Sequence, residues 1–340
     1  MSKRLIIHIG THKTGTSSLQ RLTTDVASQL LQEGISVIDY LKIPNRQDFI
    51  KEVKVEEKYI NDLRAFLNNE IQISKKSNVF VLIWEGFSGN PRTNYSNRVP
   101  VLEMLYKSIS STVKLELVVF FRRQDQFIQS LFTQFKQEKD FSQSEQILKP
   151  FYHEGFDWHL YHDQLTKIFK NVPIHCFPYD SNFLIVKPID KILDEILGSS
   201  TLQESNANKV VNVGMSPIAL NLFEKISLKL NKQEAKYLRN LLQTKFNKGL
   251  LSDYSYLTNK DIKEWVELYR ESNQKLIQSI WSHFKTYQPF TYGLESKTEN
   301  ADKIEEEIII HLIREIEKLR LENSITLIQK LKQKVKRIIS

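Results

Sequence analysis

The residues best equipped for chemistry stand close to the N-terminus, where positions 8–20 read HIGTHKTGTSSLQ. Lys13 brings a full positive charge, His12 an imidazole, and Thr14, Thr16, Ser17 and Ser18 hydroxyl donors. Gly10 and Gly15 allow positive φ and close approach of the backbone to a ligand. Together these groups suit an anion with phosphate-like oxygens. They work only if the flanking chain holds them, and it is built to do so. The apolar run LIIHI before the loop suits a buried strand, and Leu19, Leu22, Val26 and Leu30 after it fall at helical spacing. A strand, a glycine-bearing turn and a helix N-terminus bring backbone N–H groups together, and the helix dipole adds partial positive charge.

The spacing from Gly10 to Gly15 matches the phosphate loop G-x-x-x-x-G-K-[ST], but Thr16 stands where that loop has its lysine. The lysine lies inside the loop instead, at Lys13. The arrangement K-[ST]-G-T-[ST] resembles the 5′-phosphosulfate loop of sulfotransferases that use PAPS (3′-phosphoadenosine 5′-phosphosulfate), and the longer string is most similar to the bacterial branch of that superfamily. A sulfuryl group in transfer carries less negative charge than a phosphoryl group, so a lysine and backbone donors can stabilise it without a metal. The resemblance implies a P-loop-like α/β fold of three layers with a central parallel sheet. It also implies that residues 12–17 hold the 5′-phosphosulfate: His12, Lys13, Thr14, Gly15, Thr16 and Ser17. It covers about 1–290.

Later segments supply the rest of such a site. The apolar run KLELVVFFR runs into RRQDQFIQS, with Arg122 at a strand end and Ser130 eight residues on in a helix. The family has an arginine and a serine at this spacing on the 3′-phosphate, which maps the contact to Arg122 and Ser130, with Arg123 as a helper; arginine suits a bidentate phosphate contact. Tyr179, in PYDS after a strand, resembles a tyrosine that lies near the adenine in family members. NKVVNVGMSP (208–217) resembles a family loop of the type N-x-S before a helix, with Gly214 in place of the serine. YRESNQKLIQSIW (269–281) resembles the last helix of the bacterial members.

Transfer to a hydroxyl needs a general base. Heparan-type and many bacterial members use a glutamate after the matching core strand, and here that strand reads NVFVLIWE and ends at Glu85. A carboxylate in a partly dry cleft has a raised pKa, which serves this role. The competing reading has Glu85 cap the following turn or pair with an arginine. His12 is the second candidate base; His8, on a buried strand, reads as structural. His153, His159 and His162 form no metal-ligand spacing, and no metal site is expected.

The remaining sequence sets bounds. The chain has 340 residues, 41% hydrophobic and 26% charged, with a net charge of +8, which suits anionic ligands. Lysine and arginine are scattered except at the extreme C-terminus, which argues against a nucleic-acid binder. A single cysteine, Cys176, and the lack of any run near the ~18 apolar residues of a membrane span point to a cytoplasmic enzyme without a membrane segment. Strands are expected at 4–9, 35–40, 78–85, 114–122 and 172–180. Helices are expected at 16–32, 99–110, 124–138, 156–171, 188–197, 216–230, 232–247 and 258–287. Residues 86–98 read as a polar loop and 199–215 as an irregular functional loop. Alternating strands and helices imply a parallel sheet with ligands at the carboxyl ends of its strands. Residues 1–295 form the expected sulfotransferase domain. Residues 296–340 form a helical extension, with Ile328, Leu331, Val335 and Ile338 at coiled-coil spacing for self-association. The acceptor is not named by the sequence; the aromatic stretch 151–161 fits either a sugar site or core packing. Two other classes compete. A nucleotide kinase is disfavoured by the residue after Gly15 and by the lack of a Walker B aspartate. A non-catalytic module would bind a partner through the C-terminal helix.

Overall fold

The computed structural model describes residues 3–51, 56–137, 146–180, 183–184, 187–204, 217–245 and 256–282, together with Phe290, Ile310 and Arg314. The chain divides into two compact units. The first comprises residues 1–124, 151–211 and 266–292, and the second 125–150, 212–265 and 293–340. The boundary expected at 295, the coiled-coil positions and most of the loops at 199–215 and 208–217 lie outside the described residues.

The first unit is built on five parallel strands: β1 (Arg4–Gly10), β2 (Ile35–Ile38), β3 (Val79–Ile83), β4 (Lys114–Phe121) and β5 (Ile174–Pro178). Their order in the sheet is β2-β3-β1-β4-β5, so the strand that carries the glycine loop is central. This is the expected α/β architecture. Near-continuous apolar runs form these strands because both faces of a parallel sheet are covered. On one face Ile6, Val81, Ile83, Val118 and Phe120 pack with Leu19, Val26 and Leu30 from the helices after β1 and with Ile192, Leu193 and Leu197. The alternate residues Leu5, Ile7, Phe80, Leu82, Leu117, Val119 and Phe121 are buried on the other face. There Phe121 meets Trp158, Tyr161 and Trp281 at ring separations of 6.0, 5.9 and 6.3 Å.

The helix expected at 16–32 is two, α1 (Thr16–Asp25) and α2 (Ala27–Gln32), broken where Val26 leaves helical geometry at φ −108°, ψ 13°. Between β2 and β3 lie α3 (Arg46–Lys51) and α4 (Glu57–Ile73). α5 (Arg98–Ser108), α6 (Gln124–Gln137), α7 (Trp158–Ile168) and α8 (Ile189–Leu197) follow; α7 is five residues shorter than the apolar pattern indicates and the others agree with it closely.

Residues 86–98 depart most from the reading. They are not a solvated loop. Two 3₁₀ turns, at Glu85–Ser88 and Pro91–Thr93, carry a largely buried segment. Its polar residues serve its own backbone: the Asn90 N–H donates to Asn97 Oδ1 at 2.7 Å and the Arg92 N–H to Asn90 Oδ1 at 2.9 Å. Buried backbone groups need such partners, and asparagine supplies them locally.

The last part of the first unit is tied in by reciprocal amide contacts. Gln124 Nε2 donates to Asn273 Oδ1 at 3.1 Å, Asn273 Nδ2 to Gln124 Oε1 at 3.0 Å, and Trp281 Nε1 to the Cys176 carbonyl at 2.9 Å. The second unit is helical among its described residues, with Pro217–Ser227 and Lys232–Lys245 as its main later helices. Lys136 pairs with Glu224 at 2.8 Å, Phe132 packs on Tyr256 at 4.9 Å, and Asn231 and Glu234 cap the second helix reciprocally. Among the described residues no helix is long and apolar enough to cross a membrane.

Candidate active site

The loop after β1 begins with an irregularity in the sheet. His8 is level with Val118 but Gly10 with Val119, so β1 carries an extra residue against β4 at its carboxyl end. Such a bulge re-aims the chain that follows it. The loop is then pinned by Thr11, whose N–H and hydroxyl both donate to the Phe120 carbonyl, at 2.9 and 3.1 Å. The Thr14 hydroxyl donates to the Thr11 carbonyl. Lys13 and Gly15 take left-handed geometry, at φ 63° and 78°, and the turn enters α1 with Gly15 as its N-cap.

The helix start is left open to a ligand. Gly15 has no side chain to cap it, and the first turn of α1 holds no acidic residue. The Thr16 hydroxyl is buried without a hydrogen-bond partner among the described residues. A methyl group on Gly15 would stand 3.3 Å from both the Tyr179 ring and Ile189. An anion accepting from this turn would satisfy the Thr16 hydroxyl and the dipole together.

Glu85 follows β3 and begins the first 3₁₀ turn. Its Cβ lies 3.3 Å from where a Gly10 side chain would begin, so it abuts the loop. The turn is held from beneath. The Trp84 N–H donates to the His8 carbonyl at 2.9 Å. Gly86 is under the Trp84 ring, where an added Cβ would stand 2.3 Å away, and the Ser88 hydroxyl donates to the Ile9 carbonyl. Glu85 Oε2 is shielded from solvent and has no hydrogen-bond partner among the described residues. Burial therefore pushes the carboxyl above its ordinary range, with its own backbone N–H and the Lys13 charge pulling the other way.

At the end of β4, Arg122 Nη1 donates to the Lys13 carbonyl at 3.1 Å, and its guanidinium stands 5.5 Å from the centre of the Tyr179 ring. Trp158 Nε1 donates to the Arg122 carbonyl at 2.7 Å. Tyr179 follows β5, its N–H on the Phe121 carbonyl at 2.6 Å, and packs beside Gly15. The ends of β1, β3, β4 and β5 thus bring Lys13, Glu85, Arg122 and Tyr179 to one edge of the sheet. Arg123 is buried and donates to the Phe290 carbonyl at 3.4 Å. Ser130 lies on α6 within the second unit. His8 is fully buried, with its ring 5.5 Å from Phe120, and burial lowers its pKa to about 4.

Three further residues stand around the loop: Tyr95 and Arg98, which the sequence gave no reason to single out, and Tyr161 from the aromatic stretch 151–161. Tyr95 reaches His12 Nδ1 with its hydroxyl at 3.3 Å. Arg98 is sandwiched between the Tyr95 and Tyr161 rings at 4.4 and 4.0 Å and donates to the carbonyls of Gly155, at 2.6 Å, and Ser88, at 3.3 Å. Tyr161 shares a 2.7 Å hydrogen bond with Ser88. The only signal was the presence of aromatics in a segment otherwise rich in turn residues. In the stretch 151–161, Phe156, Trp158 and Tyr161 are core residues and Tyr152 is the exposed aromatic.

No family model matches the chain, and neither does any curated protein. Among solved structures, a sulfotransferase from Alicyclobacillus acidocaldarius aligns with 79% of this chain and 97% of its own, at 12% identity and a TM-score of 0.37.

Proposed function

We propose that the protein is a sulfotransferase that moves the sulfuryl group of PAPS to a hydroxyl or amine of an acceptor. The observation that carries this reading is the Glu85 carboxyl, whose Oε2 has no hydrogen-bond partner among the described residues, set against a glycine loop whose lysine precedes its second glycine. The loop fits the cofactor's anionic end because the Thr16 hydroxyl is an orphan there and no carboxylate occupies the first turn of α1. PAPS, when bound, supplies an activated sulfuryl group. The chain's own groups do the rest. Backbone N–H groups of residues 14–17 and the Thr16 and Ser17 hydroxyls hold oxygens, and Lys13 stabilises negative charge that builds between the sulfuryl group and its leaving oxygen. Arg122 braces the loop through the Lys13 carbonyl, and a guanidinium at this position suits a bidentate contact with a second phosphate. Glu85, kept basic by its dry surroundings, takes the acceptor's proton.

Calorimetry with PAP (the desulfated product) and with ATP, each with and without magnesium, tests the cofactor. PAP is expected to bind more tightly than ATP and without magnesium. ATP binding that requires magnesium, with PAP inert, returns the loop to the kinase class. Turnover of radiolabelled PAPS against an acceptor panel, carbohydrates included, separates an enzyme from a binding module.

A further inference from the structure

Arg98 is 2% exposed, a depth at which a guanidinium is costly unless its donors are met. It is met by carbonyls and ring faces. Its Nε donates to the Ser88 carbonyl at 3.3 Å and its Nη2 to the Gly155 carbonyl at 2.6 Å, while the centres of the Tyr95 and Tyr161 rings stand 4.4 and 4.0 Å from its central carbon. The packing around it is tight. Asn94 and Tyr95 lie in the left-handed region, at φ 50° and 60°, a geometry that a non-glycine residue holds only where its surroundings impose it. An added Cβ at Gly155 would stand 1.8 Å from the Asn94 carbonyl oxygen, and one at Gly89 would stand 3.0 Å from the Arg98 Cα. Tyr161 adds a second hold on Ser88. The Ser88 hydroxyl gives its one proton to the Ile9 carbonyl, so the Tyr161 hydroxyl is the donor in their 2.7 Å hydrogen bond. Burial pushes the Tyr161 phenol up to about 12, which keeps that proton in place.

We propose that Arg98 and Tyr161 are positioning residues that lock Ser88 and, through it, set the place of Glu85 against the glycine loop. The inference rests on Glu85 being the base, as in the reading above. The turn Glu85–Ser88 is fixed to β1 at both ends. Just before it, the Trp84 N–H donates to the His8 carbonyl at 2.9 Å, and at its end the Ser88 hydroxyl donates to the Ile9 carbonyl. His8 and Ile9 immediately precede Gly10, so both anchors lie on the chain that leads into the loop. Between them, the Glu85 Cβ and the Ser88 Oγ stand 3.3 and 2.9 Å from where a Gly10 side chain would begin. A turn this short has little freedom once both ends are held, and a shift of Ser88 carries Glu85 with it. The last carbonyls of a helical turn need partners from outside it. Arg98 supplies one at Ser88, and its hold on Gly155 ties that end of the turn to the segment that leads into α7. Arg98 and Tyr161 are both buried, and they act on the carboxyl through the turn.

The test uses two variants of the full-length chain. Arg98→Lys keeps the charge and loses the fork that spans two carbonyls. Tyr161→Phe keeps the ring against Arg98 and loses only the hydroxyl. The readouts are kcat and KM against pH, and the titration of the Glu85 carboxyl by carbon NMR of glutamate-labelled protein, its signal identified by its loss in Glu85→Gln. In the wild type the carboxyl is expected to titrate above the ordinary 4.5. In both variants the turn loosens and water reaches the carboxyl, so the titration is expected to move down toward that ordinary value. The rising limb of the pH–rate profile moves to lower pH with it. Plateau kcat is expected to fall by up to about 100-fold in Arg98→Lys, the cost of a small misplacement of a reacting group. It is expected to fall by about 2- to 10-fold in Tyr161→Phe, the worth of one neutral hydrogen bond. KM for PAPS and PAP affinity stay within a few fold in both. A role in stability alone lowers the melting temperature but leaves the titration, the limb and kcat per folded molecule unchanged, and that result overturns the proposal. Tyr161→Phe decides if Arg98→Lys does not fold. A loss of PAP affinity as large as the loss of kcat also overturns it, because the loop rather than Glu85 has then moved. If the Glu85 titration moves as expected but PAP does not bind the wild type, the positioning role stands and the cofactor reading falls.

Discussion

Replacing Glu85 by glutamine keeps the volume and polarity of the side chain and removes its ability to take a proton. General-base catalysis contributes about 10²–10⁴ in rate, or about 2.7–5.4 kcal/mol of barrier, and turnover is expected to fall by that factor. The structure also predicts what happens to stability, and with the opposite sign to a structural role. Glu85 Oε2 has no hydrogen-bond partner among the described residues, and burial raises its pKa above the ordinary 4.5. Between the ordinary value and the raised folded value, the native state holds a proton that the unfolded chain has released. Stability contributed by the protonated carboxyl is therefore complete below 4.5 and declines as pH rises through the folded value. Glu85→Gln lacks that decline. Its melting temperature at pH 7 is expected to equal or exceed that of the wild type, and its melting temperature should vary less with pH. The same ionisation governs the rate: wild-type turnover rises with pH through the raised pKa, and the variant has no such limb. The measurements are turnover at saturating PAPS, PAP affinity by calorimetry, and melting from pH 4 to 8. Turnover within tenfold of wild type refutes the base assignment. A lower melting temperature with normal turnover in the folded fraction makes Glu85 a structural residue.

Three further outcomes follow from the geometry. Arg122→Ala is expected to weaken PAP by roughly 10- to 150-fold, the 1.5–3 kcal/mol of a lost charge-assisted contact, and adenosine 5′-phosphosulfate by much less; equal losses by calorimetry would mean that Arg122 only braces the loop through Lys13. Gly86→Ala drives a Cβ into the Trp84 ring, 2.3 Å away, and is expected to cost about 1–3 kcal/mol by urea unfolding, with a drop in turnover because Glu85 is the adjacent residue. Cys176 is buried, and burial pushes its thiol to about 12, so labelling by a disulfide reagent is expected only as the protein unfolds; rapid labelling of the native state would contradict that burial.

What the sequence determined by itself is the framework and the loop. Apolar runs bounded by turn residues fixed the strands to within a few residues. The Gly10–Gly15 spacing marked the strand–turn–helix junction, because the features that make such a turn are local in the chain. Helix α1 was overextended for the same reason: Leu19, Leu22, Val26 and Leu30 keep helical spacing through a break at Val26 that periodicity does not register. Glu85 was visible as a strand-end carboxylate, but whether it was partnered was not, since that depends on which side chains arrive from elsewhere. The polar segment after it reads as a loop, and what its composition does not show is its burial: tertiary packing encloses it and turns Asn90 and Asn97 into partners for its own backbone. The grip on His12 was decided at the same level. Tyr95 is distant in sequence, and Arg98 is held by Tyr161 and the Gly155 carbonyl from a segment farther still. Local pattern sets which elements form; which buried hydroxyl meets which imidazole is set by how parallel strands bring their carboxyl ends to one edge, and no spacing along the chain encodes that.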